Sequence, residues 1–159
     1  MTGCYHPNHS CIDNCIHTYA GLQLRLACQK LMNQQDHEEK TGLAKITPAF
    51  NLPSDYVLHT VGPIVNGKLT EQHKNLLANC YGSCLELANS YDIQSIAFCC
   101  ISTGVFVFPG QEAAQIAVNT VKQYLTENRK IRKVVFNVFE SSDYQIYRKL
   151  LGADTETEN

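Results

Sequence analysis

SIAFCCI (95–101), continued without a break by STGVFVFPG (102–110), is the stretch that decides the fold. Seven apolar or small residues in a row predict a strand buried on both faces, as in the interior of a parallel sheet. The run stops at small residues and a glycine, and a helical pattern follows over about 111–125. A second apolar run, VVFNVF (134–139), predicts another buried strand, and a last helix covers about 143–151. Strand, helix, strand, helix in that order implies right-handed crossovers and a parallel or mixed sheet between helical layers. Ligands in such sheets bind beyond the carboxyl ends of the strands. That rule selects the loop after Ile101 and the residues around Phe139. A loop of small residues with a glycine, feeding a helix N-terminus, is a candidate amide cradle for phosphates. By contrast, GKLT (67–70) is not a phosphate-binding P-loop, because the upstream glycine framework is absent.

Towards the N-terminus the periodicities continue. Thr70 is placed to cap a long helix whose buried face is Leu76, Leu77, Cys80, Cys84, Leu87 and Ala88. Residues 45–50 and 56–61 read as two strands separated by the turn-forming NLPSD. Leu24, Ala27, Cys28 and Leu31 mark one helix. Ile12, Cys15, Ile16, Tyr19 and Ala20 follow the i, i+3, i+4, i+7, i+8 rhythm of another, which Gly21 ends. Asp13 sits at the mouth of that helix, where a carboxylate suits the positive end of the dipole. NQQDHEEK (33–40) is a polar connector, residues 153–159 form an acidic tail expected to be disordered, and there are no internal repeats.

With 159 residues the expectation is one domain, over 1–152, with a single core. The net charge of −2 argues against a nucleic-acid surface, though not against a small anion held by backbone amides. No apolar run approaches the roughly 20 residues of a membrane span, and MTGCYHPNHS lacks the basic and apolar regions of a secretory signal. The expected location is cytoplasmic. Of eight cysteines, Cys15, Cys28, Cys80, Cys84, Cys99 and Cys100 fall on apolar stripes and read as small buried hydrophobes. Cys4 and Cys11 differ, since they flank two histidines in a polar, proline-containing loop. Two thiolates and an imidazole within that loop suit Zn²⁺, and three protein ligands would leave a coordination position open. His6 either completes a closed, structural site or faces solvent.

Four segments carry a resemblance: CIDNCIHTYAG (11–21), TGLAKITPAFNLPSDYVLHTVGP (41–63), SIAFCCISTGVFVFP (95–109) and VVFNVFESSDYQIYRKLL (134–151). In order and separation they resemble the signature stretches of the macrodomain (Appr-1-p processing) family, MacroD type. The resemblance implies a three-layer α/β/α sandwich with a mixed, largely parallel sheet. It also implies ADP-ribose as ligand and mono-ADP-ribosylated protein as substrate. Carried over by motif, Ser102, Thr103, Gly104, Val105 and Phe106 would wrap the diphosphate, with Phe106 against the distal ribose. Phe139 would pack on adenine, Asn14 would join the ligand-binding residues, and Asp13 would be catalytic. CYHPNHSC stands where MacroD-type enzymes have a run of glycines. That replacement resembles the zinc-containing ADP-ribosyl hydrolase branch, whose ligands map to Cys4, His9 and Cys11. In relatives this branch accompanies a sirtuin-like ADP-ribosyltransferase. His17 and His59 recur in the family and read as hydrogen-bonded structural histidines.

The family also implies earlier strands, one bearing an Asn-Ala-Ala-Asn motif inside the sheet, and an acidic residue that recognises adenine. Neither precedes the zinc loop here, so the expectation is an N-terminally truncated form whose neighbouring strands lack backbone partners, the alternative being a rearranged fold that closes the gap. Three functions stand open on the sequence: a zinc-dependent protein ADP-ribosyl hydrolase, a non-catalytic module that binds ADP-ribose, and a structural zinc module with no nucleotide site.

Overall fold

A computed structural model describes residues 11–152. The elements run α1 (Ile12–Ala20), α2 (Leu22–Gln35), β1 (Ala44–Pro48), β2 (Tyr56–Thr60), α3 (Glu71–Ser90), β3 (Ser95–Phe98), α4 (Gly110–Glu127), β4 (Lys133–Phe136) and α5 (Ser141–Leu151). Local chemistry accounts for several of the boundaries. Thr70 Oγ1 accepts the His73 amide while the His73 ring accepts the Thr70 amide, a reciprocal cap that starts α3. Gly21 divides α1 from α2 with φ at +86°, a conformation that costs glycine nothing.

The α/β class is as expected, and both strand directions are present. They occur, however, in two separate ladders. β1 and β2 pair antiparallel, with Ile46 opposite Leu58, and β3 and β4 pair parallel, with Ala97 opposite Val135. Among the described residues, β2 and β3 each have a ladder partner on one edge only. Between them lies a cavity of about 1410 Å³, lined by every residue of both strands and by Ile12, Asp13 and Ile16 of α1.

That cavity explains two departures from the sequence reading. Strand β3 alternates in burial, with Ile96 and Phe98 in the core and Ser95 and Ala97 exposed where they line the cavity, so it is not buried on both faces. Helix α1 has the expected rhythm, but it buries Asn14 and His17 and, of the apolar stripe, only Ala20. Ile12 and Ile16 of that stripe face the cavity, and Cys15 and Tyr19 are exposed.

Most of the apolar burial sits on one side of β3 and β4. Leu77, Tyr81 and Leu85 of α3 pack with Ala114, Ala117 and Val118 of α4 and Tyr147 of α5. The rings of Tyr81, Phe98, Phe136 and Tyr147 follow one another at 5.1, 6.4 and 5.0 Å between centroids. A smaller cluster of Ala20, Leu24 and Cys28 ties α1 and α2 to β2 through Val57. Cys28, Cys80 and Cys84 are buried as expected, whereas Cys99 and Cys100 lie just past β3 and are half-buried.

Candidate functional site

Helix α1 begins at Cys11, whose sulfur accepts the Asn14 amide at 3.4 Å. Asp13 follows in the first turn, and its Oδ1 lies 3.6 Å from Nε2 of His17, one turn on. Burial raises the Asp13 carboxyl above the ordinary carboxylate value, opposed by His17. Burial lowers the His17 imidazole in turn, opposed by Asp13. The polar contacts continue inward. The His17 ring lies 6.4 Å from that of His59, and His59 Nε2 is 2.9 Å from Thr47 Oγ1 and 3.9 Å from the Cys28 sulfur. The site therefore rests on a ladder of side chains that joins α1 to α2, β1 and β2.

The second wall comes from the loop after β3. Ser102 has φ +67° and Val107 has φ +56°, values that β-branched valine in particular rarely adopts. Such strain persists only where the surroundings hold it. Here Phe108 N–H donates to the Ser102 carbonyl at 3.0 Å, and Val107 N–H to that of Gly104 at 3.0 Å. Val65 N–H, from the loop after β2, donates to the Phe106 carbonyl at 2.9 Å and joins the two loops. Gly62 is where they come closest, since a methyl there would run into Ser102 Oγ and the Ile101 side chain. Ser102 Oγ and His17 Nδ1 are both buried without a hydrogen-bond partner among the described residues.

Asp13, Ser102 and Phe106 thus line one cavity, with Asn137 from the end of β4. Thr103, Gly104 and Val105 belong to the same loop without lining that cavity; Thr103 Oγ1 donates to the Cys100 carbonyl at 3.3 Å, and Val105 is 69% exposed. Asn14, the next residue along α1, is buried. Phe139, at 93% exposure the most exposed large apolar side chain described, stands beyond β4 as an unpacked ring. Cys4 and His9 lie outside the described residues. Cys11 is the one described member of the expected zinc triad, and no group of three or more His, Cys, Asp or Glu side chains among the described residues is placed to hold a metal.

The sequence reading did not select Gly62 or Asn137, and it took His17, one turn beyond Asp13, as a structural histidine rather than as that carboxylate's partner. The i, i+4 spacing of Asp13 and His17 was the available signal for that pairing. Asn137 follows a predicted strand at its carboxyl end, where the sheet rule looks for ligands. Nothing local in HTVGP announces the close approach at Gly62.

The family model described as "Macro domain" matches residues 2–117. Among curated proteins, one named "Protein-ADP-ribose hydrolase" from Treponema medium is 61% identical over 152 residues, which is 96% of this chain and 58% of that protein. A protein of the same name from Staphylococcus aureus is 51% identical over 155 residues, again 58% of its length. The chain therefore spans a little over half the length of these relatives. Among solved structures, an Oceanobacillus iheyensis macrodomain with ADP superposes with a TM-score of 0.85 at 41% identity, over 94% of this chain and 79% of that one. A Trypanosoma brucei macrodomain in complex with ADP-ribose gives 0.80 at 33% identity, over 91% and 58% respectively.

Proposed function

The chain belongs to the macro domain family, and from that premise we propose that it hydrolyses the bond between the distal ribose of ADP-ribose and a modified protein side chain. The observation that carries this reading is the shared cavity, in which the Asp13 carboxylate and the strained loop at Ser102 and Phe106 meet. The names of the relatives from Treponema medium and Staphylococcus aureus support the reaction class.

In this reading the loop amides, backed by the N-terminus of α4, hold the diphosphate. Binding energy gathered there positions the anomeric carbon. Asp13 orients a water and takes its proton as the water oxygen bonds to C1″. The bond from C1″ to the protein side chain breaks, and the departing atom carries away its electron pair and then a proton. Burial makes Asp13 a stronger base than a carboxylate in water. His17, 3.6 Å away, aligns it. Exposed Phe139 offers a ring face to adenine.

Zinc belongs to the same proposal. Cys11 fits it: the sulfur is at the mouth of α1, two residues before Asp13 and half-exposed. Cys4, His9 and Cys11 would hold the ion, which when bound supplies Lewis acidity at that mouth.

Asp13→Ala is expected to lower release of ADP-ribose from a mono-ADP-ribosylated protein by roughly 10²–10⁴-fold, with ADP-ribose affinity nearly unchanged by calorimetry. Cys11→Ala should lose both turnover and bound zinc by metal analysis. Full activity in both variants would sink the proposal. Tight ADP-ribose binding by the wild type with no turnover would leave a binding module in its place.

A further inference from the structure

The loop that follows β2 is fastened to α3 before it reaches the site. The Val61 carbonyl accepts the Gly42 amide at 3.0 Å and the Cys80 thiol of α3 at 3.4 Å. Ser83, about one turn further along α3, donates its hydroxyl to the Gly42 carbonyl at 2.7 Å. Gly62, Pro63 and Val65 are buried, and the Val65 side chain joins the core cluster of Leu77 and Tyr81. Pro63 fixes its own φ and restrains the residue before it. A segment held by these hydrogen bonds, a proline ring and a core side chain has little freedom to yield.

The candidate phosphate loop lies against this segment and meets it at two points. Val65 N–H donates to the Phe106 carbonyl at 2.9 Å. At Gly62 the contact is steric: a Cβ there would overlap Ser102 Oγ, stand 2.8 Å from Cγ2 of Ile101 and stand 3.4 Å from Ser102 Cβ. Turning the serine hydroxyl clears one of these atoms and leaves the others. Ser102 is also the strained residue, at φ +67°. Gly62 is not among the glycines with positive φ, so its own backbone makes no demand for glycine. Space alone demands it. Alanine at a position of ordinary φ stabilises a protein by narrowing the unfolded ensemble, so a loss on substitution reports the contact.

We infer that Gly62 is a positioning residue for the candidate phosphate loop, and that residues 61–65 are the splint against which the loop is set. The bare Cα at position 62 lets Ile101 and Ser102 close on the splint, and the Val65 amide holds the loop again at Phe106. Val61, Gly62, Ser102 and Phe106 all line the cavity. Helix α3, acting through the splint, thereby fixes where Ser102 and Phe106 stand on the cavity wall. Gly62 acts through Ser102 and is not a catalytic residue. The ligand of the loop rests on the function proposed above; the splint itself does not.

The test uses the full chain and a double-mutant cycle of Gly62→Ala and Ser102→Gly. Glycine at 102 removes two of the three atoms that a methyl at 62 would meet, and it suits φ +67°. In ligand-free protein, Gly62→Ala should accelerate amide exchange at Val65 and Phe108 about tenfold or more, while the interior of α3 keeps its protection. In the Ser102→Gly background the same substitution should change that exchange by about threefold or less. With ADP-ribose as probe, Gly62→Ala should raise Kd about tenfold against the wild type and about threefold or less against Ser102→Gly. In both comparisons kcat should stay within about twofold. Unchanged exchange at Val65 and Phe108 in Gly62→Ala overturns the splint. Equal losses in the two backgrounds do so too, as does acceleration spread through α3. Faster loop exchange with unchanged Kd overturns its role in binding. If Gly62→Ala alone fails to fold, a folded double variant supports the inference and an unfolded one overturns it. If the wild type fails to bind ADP-ribose, the proposed function falls, while the exchange cycle still decides the splint.

Discussion

His59 shows how one residue's surroundings set a property of the whole chain. Its ring is hydrogen-bonded to Thr47 and faces Cys28 and His17, while Lys45, opposite it in the β1–β2 register, is paired to Glu39 at 3.3 Å. Burial first, and then His17, push its pKa down from 6.5 to about 4. The unfolded chain therefore takes up this proton before the folded one as pH falls. Stability is complete above about pH 6.5 and is lost progressively towards pH 4, by about 3 kcal/mol for this group. His17 is shifted in the same direction, whereas Asp13 is raised and acts with the opposite sign. An NMR titration isolates the residue: the His59 ring protons should stay in their neutral positions until the pH nears 4, and urea midpoints should fall between pH 7 and 4.5. A His59 midpoint near 6.5 would refute this account. At this scale the sequence was partly legible. VLHTV marks a histidine inside a strand, and a buried imidazole there must find a partner. That the partner is Thr47 depends on the antiparallel register, which no local pattern in the sequence encodes.

Among the elements, helices were legible because a 3.6-residue period repeats over many residues, and α3 begins at the cap Thr70 announces. Strand ends were less so. SIAFCCI predicts a strand over 95–101, but the ladder stops at Phe98 opposite Phe136, and beyond it the backbone at Cys99 and Ile101 turns to the Tyr81 hydroxyl. The strand ends where the backbone takes up these tertiary contacts, which apolarity alone could not reveal. The following loop has a testable energetic character. Val107 is a β-branched residue at φ +56° with its side chain 66% exposed, so it stores strain and buries little. Val107→Gly should stabilise the protein by about 1 kcal/mol in chemical unfolding, because glycine removes the steric penalty at a cost of extra unfolded-state entropy. ADP-ribose affinity should fall in the same variant as the loop gains freedom. Loss of stability on this substitution would mean that Val107 packs in solution in a way its exposure denies.

For the whole molecule, order and class of elements fixed an α/β fold, but periodicity says which segments are extended and not which edges meet. The consequence is physical. The outward edges of β2 and β3 face a cavity of about 1410 Å³. Along each strand alternate amides point to opposite edges, so half of those in β2 and β3 face the β1 or β4 ladder and half face the cavity. Hydrogen exchange of the 159-residue chain should then alternate along both strands. Amides in the ladders should be protected, and their neighbours should exchange roughly a hundredfold faster or more, since each open amide lacks a bond that takes free energy to break. The apolar cavity lining, with Ile12, Ile16 and Leu58 among it, should also bind a hydrophobic dye. Uniform protection along β2 and β3, without dye binding, would show that in solution these edges are paired and the two ladders form one sheet. Asp13 on α1 and Ser102 and Phe106 of the loop after β3 line that same cavity, so the same exchange pattern reports how firmly the two parts of the proposed site are held in register.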